Sequence, residues 1–297
     1  MGAAVPESRV ILEAMLWPAL GLLLYATFTQ VPLLHLWAAA RDTRFIAAAV
    51  VGNFAVLPVV VWALVFFAPD DPAIRLGVAI VLLVPCTDWF ITFTQLGEGD
   101  TARAIAFAPI SLLLQIALLP AYLWAFFGEG FTVTLVRGEI VAAFAFFILT
   151  PLGAALLTEN WVEGSKDRSS LLKRLACLPV PLLALVVFII AASQVNVILE
   201  SGALLGRLLF LFAAFLTIAP ALAHVLSKLF KLPPQQGRVL AFSFGTRNSF
   251  VVLPIALALP ASFEVAAVVI VFQSLVELFG MAVYLRWVPR KLFPTAS

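Results

Sequence analysis

Nine apolar runs dominate this chain, at about 10–30, 44–67, 73–95, 102–127, 138–158, 175–195, 203–226, 237–259 and 262–286. A helix needs roughly 20 such residues to cross a hydrocarbon core of about 30 Å. Lipid offers the backbone no hydrogen-bonding partner, so spans of this kind are helices or closed barrels. Long unalternating runs select helices. The expectation is an all-α polytopic membrane protein with nine transmembrane segments, forming one transporter domain over 1–297. Only 11% of residues are charged, against about 25% in an ordinary soluble domain. The stretch 31–40 is too short to span and is expected at the interface. Met1 to Arg9 is short and polar, without a charged n-region before an apolar core, which argues against a cleavable signal peptide.

Orientation follows from the basic residues. One face receives Arg41, Arg44, Arg103, Lys166, Arg168, Lys173, Arg174, Lys228, Lys231, Arg238, Arg286, Arg290 and Lys291; the other receives Arg9, Arg75, Arg137 and Arg207. The positive-inside rule then puts the C-terminus in the cytoplasm of a cell (inner) membrane protein.

Two of the nine runs carry residues that a spanning helix rejects. The eighth holds Ser243-Phe244-Gly245-Thr246-Arg247-Asn248-Ser249 and then Pro254. An arginine near the bilayer centre costs roughly 2.5–3.5 kcal/mol on insertion scales. The third holds Pro85-Cys86-Thr87-Asp88. Broken backbone at membrane depth is tolerated where protein or water satisfies it, which is how many transporters build a substrate site. The two runs lie five crossings apart and must point in opposite directions. Each is followed by a glutamine at similar distance, Gln115 being 27 residues after Asp88 and Gln273 being 26 after Arg247. Opposed, similar halves indicate an inverted repeat, with 1–128 as the first unit of four segments and 137–288 as the second of five.

Asp88 and Arg247 read as the two ends of one intramembrane ion pair, either pinning the broken helices or framing the transport site. Glu277 shares a helix face with Gln273 and has no evident partner, so it and Asp88 are the candidates for carrying a proton. Thr87, Gly245, Thr246, Asn248, Asn53, Gln115 and Gln273 are the candidate pathway residues, with interhelical hydrogen bonding as the plainer role for the amides. Cys86 is the thiol nearest a break; a buried cysteine is commonly an inert small hydrophobe, but a proline-broken helix lets solvent reach the sulfur. His35, His224, Cys177 and the tryptophans read as packing or interfacial residues. No nucleotide-binding loop, catalytic triad or metal cluster is present, so neither an enzyme nor an ATP-driven pump is supported and no cofactor is expected. Basic runs with interleaved aromatics are absent, which argues against nucleic acid; the expected partners are the lipid bilayer and a small solute.

These motifs resemble a known family. Arg75-Leu76-Gly77 through Pro85-Cys86-Thr87 to Gln95-Leu96-Gly97-Glu98-Gly99-Asp100 looks like the fourth helix of the arsenical-resistance permeases, in the superfamily of the bile acid:sodium symporters. Arg41-Asp42 to Pro58, with Gly52-Asn53, looks like the helix before it, and Gly245 to Pro254 like the crossing ninth helix. The resemblance implies a fold of ten helices in two inverted repeats, with two discontinuous helices crossing at the site and the first helix missing here. It matches Cys86 to a thiol implicated in arsenite efflux and Asn248 to the ninth-helix asparagine. The glutamate that arsenite permeases carry nearby falls at Val251. Two sodium ligands of the bile acid branch fall at Ser243 and Arg247, so a guanidinium stands where sodium would sit. The implied function is efflux of arsenite or a related trivalent metalloid, with Cys86 as its soft ligand and protons as the driving ion. The alternative is a carrier of a small organic anion whose carboxylate Arg247 holds.

Overall fold

A computed structural model describes residues 6–31, 42–135, 145–163, 172, 174–193 and 202–294. The interfacial stretch 32–40 with His35, and most of the charged link including Lys166, Arg168 and Lys173, lie outside the described residues. So does the start of the second repeat at 137.

The described residues are helical. In chain order they form α1 (Pro6–Phe28), α2 (Thr43–Phe67), α3 (Pro72–Leu83), α4 (Trp89–Leu96) and α5 (Thr101–Leu135). After these come α6 (Thr150–Glu163), α7 (Pro179–Ser193), α8 (Gly202–Leu229), α9 (Pro234–Gly245), α10 (Ser249–Leu257) and α11 (Glu264–Trp287). Four stretches are long and apolar enough to cross a membrane: Thr43–Phe67, Thr101–Gly128, Leu204–Leu229 and Ala261–Leu292. The chain is a multi-pass helical membrane protein. Large apolar side chains face outward, Phe66 at 75% and Phe210 at 78% exposure among them, which only lipid makes tolerable on this scale.

Two expected spans appear as pairs of short helices. α3 and α9 have 12 residues each, α4 has 8 and α10 has 9. At 1.5 Å per residue a 12-residue helix reaches about 18 Å, well short of the hydrocarbon core. Each pair must therefore act as one interrupted span.

Packing sorts the helices. α1 lies against α6 and α7, while α2 to α5 and α8 to α11 pack mainly on one another. The two groups meet where α1 touches α10 and α7 touches α11.

Asp42, Arg103 and Gln236 meet at the starts of three helices. Asp42 caps α2, accepting from the Phe45 N–H at 3.3 Å. Its other oxygen accepts from Arg103 Nε at 2.7 Å and Gln236 Nε2 at 3.0 Å, tying α2, α5 and α9 together. Burial pulls the Asp42 carboxyl up, but the bonds from Arg103, the Phe45 N–H and Gln236 outweigh it and hold the group below its usual range. A carboxyl lowered by folding contributes fully above its unfolded value of roughly 3.9 and loses that contribution as pH falls through the folded value. The acid limb of stability below about pH 4 should therefore flatten in Asp42→Asn. Thermal midpoints of parent and variant measured against pH check this; parallel curves would count against it.

Candidate functional site

The first break begins with proline chemistry. Pro85 has no N–H to donate and forces the residue before it out of the helical region. Val84 is accordingly extended, at φ −102° and ψ 106°, and α3 stops at Leu83. The second break opens at Thr246, extended at φ −95° and ψ 139°, after α9 ends on Gly245. Gly245 is not a flexible hinge; a Cβ there would lie 2.6 Å from the Tyr284 ring, so glycine is required by close packing.

The two breaks satisfy each other. Pro85 and Arg247 face one another in an antiparallel bridge. The Asn248 N–H donates to the Val84 carbonyl at 2.8 Å and the Cys86 N–H to the Thr246 carbonyl at 3.2 Å. Asn248 also caps α10, its Oδ1 accepting from the Val251 N–H at 3.3 Å, while its Nδ2 donates to Thr87 Oγ1 at 3.3 Å. Thr246 Oγ1 donates back to the Phe242 carbonyl at 2.8 Å. Backbone groups stranded by both interruptions thereby find partners at membrane depth.

The expected Asp88–Arg247 ion pair is not formed. Arg247 is 3% exposed, and its guanidinium turns instead toward helix C-termini. Nη1 donates to the Leu82 carbonyl at 3.2 Å; Nη2 donates to the carbonyls of Ser243, at 3.2 Å, and Phe244, and to Asn53 Oδ1 at 3.4 Å. These carbonyls belong to the last turns of α3 and α9, where unpaired C=O groups carry partial negative charge. The cation also lies 5.1 Å from the Phe215 ring centroid. A π-helical turn at Gly52–Val56 brings Asn53 into reach, and Asn53 Nδ2 donates to Ser243 Oγ at 2.9 Å.

Glu277 is not partnerless, contrary to expectation. Its Oε2 accepts from the Arg247 backbone N–H and from Gln273 Nε2, each at 2.8 Å. Gln273 Oε1 in turn accepts from Ser249 Oγ at 3.1 Å. α11 thus holds the second break open through a carboxylate placed on its free N–H. Gln115 goes elsewhere: it is buried in α5, its amide makes no hydrogen bond, and it does not line the cavities at the crossing.

Asp88 stands at the N-cap of α4, yet its side chain makes no capping bond. Its Oδ1 accepts from Cys86 Sγ at 3.2 Å, and its Oδ2 makes no hydrogen bond. Two spaces flank this pair. A small chamber of about 90 Å³ is lined by Cys86, Arg247, Ser249, Ser274 and Glu277. A wider cavity of about 850 Å³ is lined by Asp88, Thr92, Thr29, Gln30 and Glu159, with residues of α7. Trp89, Phe93 and Leu278 border both. Trp89 is thus a cavity residue as well as a packing one; its ring packs 6.0 Å from that of Phe250. No group of three or more metal-binding side chains occurs among the described residues.

Sequence reasoning missed Ser249, Trp89, Phe93 and Glu159. Serine and aromatic residues are too common in apolar helices to stand out, and Glu159 follows directly on the fifth apolar run.

Residues 17–201 match the sodium bile acid symporter family. The chain belongs to that family. The match includes the first break and ends before the second. Over 204 residues, 67% of this chain, it is 24% identical to the "Uncharacterized sodium-dependent transporter YocS" of Bacillus subtilis, covering 60% of that protein. Over 124 residues, 41% of this chain, it is 26% identical to the "Arsenical-resistance protein Acr3" of Corynebacterium glutamicum, covering 31% of it. The chain thus spans less than two thirds of the length of either relative. The family consists of membrane transporters.

Proposed function

We propose that this protein is a secondary transporter exporting arsenite or a related trivalent metalloid, coupled to protons and not to sodium. The carrying observation is the position of Cys86, which lines the small chamber at the crossing of the two broken helices. Thiolate is the soft ligand trivalent arsenic prefers, and neutral arsenous acid needs no counter-charge. The similarity to a relative named for arsenical resistance supports the same reading. Sodium independence is supported by Arg247, whose guanidinium fills a cage of backbone carbonyls and Asn53 Oδ1. A sodium ion there would meet a fixed positive charge in a low dielectric. Both terminal nitrogens of Arg247 are engaged while its Nε makes no hydrogen bond, so the organic-anion reading keeps a single donor on this side chain.

The architecture that goes with this reading is nine segments in an inverted repeat, 1–128 and 137–288, within one transporter domain. The C-terminus lies in the cytoplasm of the inner membrane. The proton-coupling candidates are Glu277 and Asp88, and Thr87, Gly245, Thr246, Asn248, Asn53 and Gln273 shape the crossing.

Proteoliposome flux with arsenite and a small panel of carboxylates, with and without sodium, tests this. Arsenite flux should proceed without sodium, respond to a pH gradient, and be lost in Cys86→Ser. Strict sodium dependence at constant pH, or carboxylate uptake abolished by Arg247→Gln, would overturn the reading.

A further inference from the structure

We propose that Asp88 is the proton acceptor and donor for a reversible bond between Cys86 and trivalent arsenic; this rests on the metalloid reading above. The geometry is already set. Cys86 Sγ donates to Asp88 Oδ1 at 3.2 Å, so the proton a thiol must lose on ligation already points at a carboxylate. The second oxygen of that carboxylate is the independent observation. Asp88 is only 8% exposed, its Oδ2 makes no hydrogen bond, and the residue lines the cavity of about 850 Å³. A buried carboxylate oxygen without a partner, on a residue that lines a cavity, awaits a donor, and the hydroxyl groups of arsenous acid are donors.

The step balances without any co-reactant. Sulfur attacks arsenic as its proton passes to Asp88 Oδ1. An S–As bond forms, an As–O bond breaks, and the departing hydroxide takes the proton from Asp88 and leaves as water. One thiol and one arsenous acid give one thiol-bound arsenic and one water, with no change of oxidation state. Release is the reverse hydrolysis, in which Asp88 draws a proton from the attacking water and Sγ recovers one. The pair sits where this is useful, Sγ lining the small chamber and the carboxylate lining the wide cavity, with Trp89, Phe93 and Leu278 bordering both. Asp88 and not Glu277 receives the Cys86 thiol directly, while Glu277 Oε2 holds the Arg247 N–H and Gln273. General acid–base help of this kind is worth roughly 10²–10⁴-fold in rate.

The test uses a Cys177→Ser background, leaving Cys86 as the single thiol of the chain. Arsenite is the probe, and two quantities are read: its flux, and how fast it protects Cys86 from maleimide. Asp88→Asn should still be protected at equilibrium, but protection and flux should both slow by about 100-fold or more. In Asp88→Ala, added acetate should restore part of the rate through the wide cavity, whereas Cys86→Ser should not respond. Size-exclusion profiles of each variant separate these effects from loss of fold. Protection and flux at the parent rate in Asp88→Asn would overturn this inference and leave the metalloid reading standing. Absence of any protection or flux in the parent would overturn both.

Discussion

Arg247→Gln should yield a protein that sodium stabilises. The guanidinium is held by the carbonyls of Leu82, Ser243 and Phe244 and by Asn53 Oδ1, at the negative ends of α3 and α9. Removing the cation leaves these buried acceptors facing one another without a donor. Each buried acceptor left without a donor costs about 1–3 kcal/mol. A glutamine amide reaches at most two of the oxygens, and the vacated space is a cage of hard oxygen ligands. An ion that binds only the folded state adds stability in proportion to the logarithm of its concentration, about 1.4 kcal/mol per tenfold above its dissociation constant. The thermal midpoint of Arg247→Gln should fall well below the parent in choline chloride and climb again with sodium chloride. The parent should show no such difference. A variant equally unstable in both salts would mean that the carbonyl cage is not a cation site.

Arg238→Met should loosen one whole end of the protein. The sequence counts Arg238 among surface charges, but it is 2% exposed and surrounded by acceptors. Nε and Nη2 donate to the Phe293 carbonyl at 3.1 and 3.0 Å, and Nη2 also reaches the Pro289 carbonyl at 3.3 Å. Nη1 meets the Glu98 carbonyl at 2.8 Å and its carboxylate at 3.2 Å. One side chain thus joins the start of α9 to the α4–α5 turn and to the segment after α11. Methionine fills much of the volume and satisfies none of the carbonyls, and each buried acceptor left without a donor should cost about 1–3 kcal/mol. Lysine should rescue only partly, because a point charge lacks the planar fork that meets three carbonyls at once. Hydrogen exchange should quicken at residues 97–100 and 288–294 together. Exchange confined to one of these segments, or unchanged in both, would contradict the clamp.

Asp88 and Arg247 were each recognisable from sequence as expensive, and each needed a partner at membrane depth. Pairing them with each other was the simplest way to remove both penalties. The structure partners them separately, Arg247 with the carbonyls at two helix ends and one oxygen of Asp88 with the Cys86 thiol. Glu277 followed the same course: it has no basic partner in its own segment, and its partner is a backbone N–H 30 residues away. Backbone donors and acceptors are present at every position and therefore leave no mark in a sequence.

By itself the sequence determined that this is a helical membrane protein and where two of its spans break. Both follow from local properties: the length of apolar runs, the missing N–H of Pro85, and the cost of charge in lipid. Tertiary structure alone decided what those breaks do. Which groups Arg247 touches, why Gly245 must be glycine beneath Tyr284, and which face of Asp88 is left bare all depend on helices far apart in the chain. Those contacts are settled when packed helices meet, because a hydrogen bond is a matter of a few tenths of an ångström that residue type and spacing do not carry.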